Sequence, residues 1–201
     1  MKIVYIFLIL LILPTQVLAL KLTKLNVDLN YPWGMTWVSS DKLLITEKKS
    51  HKIILIDTSN NTYQKIDHNL PIKGDRQGGL LDIISEDNNI WITGSIEKAN
   101  GYTTAVFKSK LENNKLVDSQ LIFEALPYIP SQVHFGSRMT IKGEHLYVSI
   151  GERGKGMIAQ DPNNAIGSII RINKDGSIPD DNPFVDKPNW LPAIYQIGVR
   201  N

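Results

Sequence analysis

Cysteine is missing from all 201 residues. The chain therefore has no disulfides, and cysteine-ligated zinc, covalent haem attachment and iron–sulfur clusters are excluded. A thiol for lipid attachment is missing too. Nor is there a bias toward charge of one sign. The 22 Lys and Arg nearly balance the 20 Asp and Glu, for a formal net charge of +2. These charges are scattered and form no basic stripe, so neither nucleic acid nor an anionic lipid surface is an expected partner. Beyond residue 20 no segment shows a sustained helical period. No nucleophile elbow, phosphate-binding loop or G-x-G-x-x-G fingerprint occurs, and the acid-rich stretch 57–61 lacks the spacing of a calcium loop. What is present, 42% hydrophobic and 21% charged residues, fits a globular protein with a real core.

The one long apolar run is N-terminal. Lys2 precedes apolar residues 3–13, then come Pro14, Thr15 and Gln16, with Val17 and Ala19 as small residues suited to cleavage after Ala19. A spanning helix needs roughly 20 apolar residues, which this run does not reach. Residues 1–19 read as a cleaved secretory signal, and the mature protein as exported, periplasmic or secreted, without a stable membrane anchor.

The remainder alternates short β-rich runs (43–46, 53–57, 80–84, 90–93, 104–108, 121–124, 146–150 and 169–172) with Gly, Asn, Asp and Pro. The runs recur as a unit: a Gly-led strand, a second strand, a variable loop, and a third strand ending in an acidic or amide turn. The second strands begin at Leu43, Ile90 and Leu146. A period of about 50 residues with several strands per copy marks the blades of a β-propeller rather than a β-sandwich. A propeller needs at least four blades and often has six to eight, whereas this length holds about three and a half. The sequence stops at Gly198-Val199-Arg200-Asn201, directly after a strand-like run. It therefore reads as the front of a longer propeller, and residues 20–201 alone are expected to aggregate or to be proteolysed.

Blade starts converge on one end of a propeller's axis, so polar residues there can face one ligand. His134 lies in Gln132-Val133-His134-Phe135-Gly136, and Gln77 in Asp75-Arg76-Gln77-Gly78-Gly79, at the equivalent start one blade earlier. Glu152 follows a strand in Gly151-Glu152-Arg153-Gly154. Arg200 and Asn201 stand where a further blade would begin. An imidazole is a candidate base near neutral pH. The residues alone also allow His134 to be an ordinary half-buried histidine, Gln77 a turn, Arg200 a surface cation, and Glu152 a partner of Arg153 or Arg138. His51, His68 and His145 fall in polar turns and read as surface residues.

Several motifs in order resemble a known family. They are Tyr31-Pro32-Trp33-Gly34-Met35, Arg76-Gln77-Gly78-Gly79-Leu80-Leu81-Asp82, His134-Phe135-Gly136-Ser137-Arg138, Gly151-Glu152-Arg153-Gly154 and Ala159-Gln160-Asp161, then the long segment 167–184 and Gly198-Val199-Arg200-Asn201. Over residues 29–201 this resembles the glucose/sorbosone dehydrogenases, soluble aldose sugar dehydrogenases that use pyrroloquinoline quinone (PQQ). The resemblance implies an all-β, six-bladed β-propeller, incomplete here, with PQQ at one end of the axis. It implies oxidation of an aldose at the anomeric carbon to the lactone. His134 would be the base for the anomeric hydroxyl, and Glu152 the carboxylate that orients it. Gln77 would contact cofactor or substrate, and Arg200 and Asn201 the edge of the quinone. Hydride addition builds negative charge on a quinone oxygen, which a fixed guanidinium and a nearby cation stabilise. Calcium is expected to bridge cofactor and protein, with ligands beyond residue 201 and none in this chain. The electron acceptor is unknown. The sequence departs from the family pattern at two places, with Glu152 at a position usually Asp and Val199 at one usually His. Two other classes stay open: a propeller that only binds sugar or protein, and a lactonase-type hydrolase.

Overall fold

The computed structural model describes residues 20, 22–99 and 101–200. The expected signal peptide and Asn201 lie outside these. Among the described residues the protein is a partial β-propeller of three four-stranded antiparallel blades with almost no helix. Blade one contains β1 (Pro32–Trp37), β2 (Lys42–Glu47), β3 (Lys52–Asp57) and β4 (Thr62–Ile66). Blade two contains β5 (Leu80–Glu86), β6 (Asn89–Lys98), β7 (Gly101–Glu112) and β8 (Lys115–Glu124). Blade three contains β9 (Gly136–Lys142), β10 (His145–Ile150), β11 (Ser168–Asn173) and β12 (Ile194–Ile197). Strands pair strictly in sequence order, so each blade is an up-and-down meander.

Side chains alternate between the two faces of a strand; blades one and two are covered on both faces, whereas β10 of blade three buries every second residue. In blade one, Leu44, Ile53 and Leu55 pack against Leu80, Ile83, Ile90 and Ile92 of blade two. Their neighbours Leu43, Ile45, Ile54 and Ile56 form a second cluster on the other face, covered by Leu25, Val27 and Leu29. This two-sided burial explains why β2 and β3 read as nearly unbroken apolar runs. In blade two, Trp91 and Val106 turn the other way and join Leu146, Val148, Ile170 and Ile172 of blade three. Burying one such side chain fully contributes about 1.5–3 kcal/mol. Interlocking faces are therefore what hold the blades together.

The repeat read from sequence has three strands, whereas each blade has four. The missed strand of blade one, β4, is exposed apart from Ile66. At the rim, solvent lies beyond β4, so most of its residues carry no apolar pattern to find.

The meander fixes where each loop emerges. In an up-and-down sheet, the loop joining the second and third strands opens at the same end as the loop leading into the next blade. The β4–β5 loop carries Gln77 and the β8–β9 loop carries His134. The β10–β11 loop carries Glu152, and Arg200 follows β12. All four lie at one end of the axis.

Hydrogen bonds between blades pin that end. Leu80 N donates to Lys48 O at 3.1 Å. Thr93 Oγ1 donates to Ser137 O at 2.8 Å, and Thr104 Oγ1 to Phe135 O at 2.9 Å. Gly79 has a φ of +125°, and an added Cβ there would overlap the Lys48 carbonyl. Glycine is needed because the backbone is left-handed and its neighbour is in contact.

Candidate active site

His134 is delivered by a short loop and held in an unusual backbone conformation, with φ at +50°. Arg153 at +58° and Ser137 at +80° are likewise left-handed without being glycine. Such conformations cost on the order of 1–3 kcal/mol each and persist only where the surroundings dictate them. For His134 those surroundings are specific. Its N–H donates to Gln77 Oε1 at 2.7 Å. Its carbonyl lies against Gly151, where an added Cβ would overlap it, so that glycine is required for close approach rather than for φ.

The ring of His134 meets a carboxylate. Nδ1 lies 2.5 Å from Glu152 Oε1, with the histidine side chain 21% exposed and that of Glu152 6%. A carboxylate accepts and does not donate, so Nδ1 carries the proton and Nε2 is the basic nitrogen. Glu152 Oε1 also accepts from Gly154 N at 3.1 Å. The other oxygen, Oε2, is buried and finds no hydrogen-bond partner among the described residues. The Glu152 backbone N–H donates to Arg200 O at 2.9 Å. Arg200 therefore joins the site through its main chain, while its side chain is exposed.

Neither pairing that the sequence left open for Glu152 occurs. Arg138 turns to blade two, with Nη1 on Asp82 Oδ1 at 3.0 Å and Nη2 on Trp33 O at 3.1 Å. Arg153 is wholly buried and donates to main-chain carbonyls. Burial pushes its guanidinium down to about 10, and the negative charge of Glu152 opposes that shift.

A cleft of about 370 Å³ opens beside the pair, lined by Trp33, Lys48, Gln77, Leu81, His134, Phe135 and Gly136. That volume suits a small-molecule site. Lys48 and Trp33 escaped the sequence reading. The Lys48 ammonium sits 4.7 Å from the centre of the Trp33 ring and donates to Arg76 O at 3.2 Å. One signal could have found Lys48: it follows the second strand of its blade, much as Glu152 does two blades later. A flat aromatic face, an ammonium and an amide around a base make a donor set suited to a planar, anionic, carbonyl-bearing ligand.

The other three histidines stay out of the cleft. They are half-buried rather than surface residues, each held locally. His51 Nε2 lies 3.3 Å from Gly74 O and His145 Nδ1 3.1 Å from Asn173 Oδ1. His68 Nε2 lies 2.8 Å from His51 O, and burial lowers its pKa. No group of three or more His, Asp or Glu with metal-site geometry occurs among the described residues. No helix among them is long and apolar enough to cross a membrane.

The family model described as Glucose / Sorbosone dehydrogenase matches residues 29–201. The chain belongs to this family. An uncharacterized Synechocystis sp. protein, slr1608, is 33% identical over 86% of this chain and 48% of its own length. The aldose sugar dehydrogenase YliI of Escherichia coli is 32% identical over 62% of this chain and 36% of its own. Among solved structures, the soluble aldose sugar dehydrogenase of Escherichia coli in its apo-form superposes with a TM-score of 0.79. Its identity is 26%, over 86% of this chain and 52% of that one. The PQQ-bound aldose sugar dehydrogenase of Streptomyces coelicolor shares the fold, with a TM-score of 0.75 at 22% identity over 90% of this chain and 54% of that one. The chain spans about half the length of the curated relatives it matches, or less.

Proposed function

We propose that the full-length protein, exported by its N-terminal signal, oxidises an aldose at the anomeric carbon to the lactone with PQQ as cofactor. The observation that carries this reading is the imidazole–carboxylate pair, His134 Nδ1 to Glu152 Oε1 at 2.5 Å, set at the wall of the axial cleft. PQQ, when bound, supplies the acceptor for the hydride that leaves the sugar carbon. This chain's residues handle everything else. His134 Nε2 takes the proton of the anomeric hydroxyl, so that the oxygen's electron pair can form the lactone carbonyl as the C–H bond breaks. Glu152 fixes the tautomer and stabilises the imidazolium that results.

Gln77 uses its amide oxygen on the His134 backbone, which leaves its NH₂ to donate to cofactor or substrate. Lys48 and Trp33, which line the cleft from blade one, would hold the anionic, planar cofactor. Arg200, and Asn201 next to it in sequence, would contact the quinone and stabilise charge that develops on it. Calcium is bound by residues of the full-length protein beyond residue 201. The identity of the electron acceptor lies outside the chemistry of these blades.

The test is reconstitution of the full-length protein with PQQ and calcium, followed by aldose-dependent reduction of an artificial dye. His134→Ala is expected to lower kcat by about 10²–10⁴-fold. Lactone hydrolysis without dye reduction would overturn the reading in favour of a hydrolase. Turnover that survives the loss of His134 would overturn the choice of base.

A further inference from the structure

Among the described residues, Arg153 is the largest charged side chain that is buried completely, at 0% exposure. A buried guanidinium normally pairs with a carboxylate. Arg153 instead spends all three of its nitrogens on main-chain oxygens. Nε donates to Val133 O at 2.9 Å, Nη1 to Tyr102 O at 3.1 Å, and Nη2 to Ser131 O. Two of these carbonyls belong to the loop that ends in His134, and the third belongs to β7 of blade two. The guanidinium also lies over the Phe135 ring, 3.5 Å from its centre. Phe135 is the next residue after the base and lines the same cleft. The backbone of Arg153 closes the set, since its N–H donates to His134 O at 3.4 Å.

We propose that Arg153 is the positioning residue of the site: its forked side chain bolts the 131–135 loop to blade two and so fixes the His134 ring on Glu152. The inference rests on His134 being the functional base. The need for such a bolt follows from geometry. His134 has a left-handed backbone that it would leave if released. Its ring bond to Glu152, at 2.5 Å, tolerates little displacement. A shift of about 1 Å at a reacting group can lower a rate by about 10²-fold. The fork is also specific to arginine. It presents several N–H groups in one rigid plane, whereas a lysine ammonium reaches fewer carbonyls with no fixed orientation.

The experiment uses full-length protein with two variants, Arg153→Lys and Arg153→Met, and two readouts. The first needs no cofactor: the Nδ1 proton of His134, expected to be strongly deshielded by so short a bond, followed by NMR in the apo-protein and assigned by its loss in His134→Ala. The second is steady-state kinetics after loading with PQQ, with cofactor affinity followed by its visible absorbance. The expected result is that the deshielded proton broadens or disappears in both variants. Together with this, kcat falls about tenfold in Arg153→Lys and about 10²-fold in Arg153→Met, while KM and PQQ affinity stay within about twofold. If Arg153→Met does not fold, Arg153→Lys alone carries the test. A folded variant that keeps both the proton signal and kcat within twofold of the parent overturns the proposal. If the parent oxidises no aldose but the signal still depends on Arg153, the reaction assigned above fails and the positioning role stands.

Discussion

Glu152 combines a buried carboxylate with an incomplete set of partners. Oε1 serves both His134 and Gly154, while Oε2 has no partner among the described residues. Burying a carboxylate oxygen without a hydrogen bond is costly. Glu152→Gln keeps the shape and removes the charge. It is expected to leave the melting temperature of the full-length protein unchanged or higher, while lowering kcat by roughly 10²-fold, because a neutral amide cannot stabilise the imidazolium. Calorimetry and dye-reduction kinetics on one preparation check both halves; a loss of stability with full activity would contradict it. The position of Glu152 after a strand was readable in the sequence. Its partner was named only by the family resemblance, because Arg153 stands next to it and Arg138 also offered a cation. Only the path of the β10–β11 loop turns Arg153 inward to carbonyls and leaves His134 facing the carboxylate.

Strands were legible to the degree that their two faces are buried. β2, β3 and β6 announce themselves through Leu43, Ile53 and Ile90 in runs that neighbours on both sides require to be apolar, and β10 through the alternation of Leu146, Val148 and Ile150 on its one buried face. β4 carries Thr62, Tyr63, Gln64 and Lys65 at the rim, where solvent requires nothing of them. The links between blades are also invisible to pattern. Asp82 on β5, nine-tenths buried, accepts from Met139 N at 2.8 Å and from Arg138 Nη1 at 3.0 Å, joining blades two and three. The two bonds are unequal. The Arg138 side chain is 59% exposed, so solvent screens that pair to at most about 1 kcal/mol. The Met139 bond is shielded. Asp82→Ala is expected to cost about 1–3 kcal/mol in urea denaturation of the full-length protein, and Arg138→Ala less than about 1 kcal/mol. Equal losses would mean that the ion pair, not the main-chain bond, ties the blades.

At the scale of the molecule, the same alternation that builds the core leaves some apolar surface open. On β1, Gly34 and Thr36 turn toward β5, while Met35 and Trp37 are exposed, at 68% and 55%. Tyr195 on β12 is exposed as well. Exposed apolar side chains such as Met35 and Trp37, neighbours on one face of β1, favour association. Residues 20–201 expressed alone are expected to elute from size exclusion as aggregates or to be digested quickly by protease; a soluble monomer with a sharp melt would count against this. The propeller class was legible because its period outlives local irregularity, and the convergence of the candidate residues follows from that class alone.

The bond from Glu152 N to Arg200 O, supported by Gly198 N on Ala159 O and Val199 N on Gly167 O, has a temporal meaning. The histidine and its carboxylate leave the ribosome well before the segment that secures the carboxylate's own backbone. A nascent chain ending near β11 would hold His134 and Glu152 without that latch, which closes only when residues almost fifty positions after the carboxylate dock behind it.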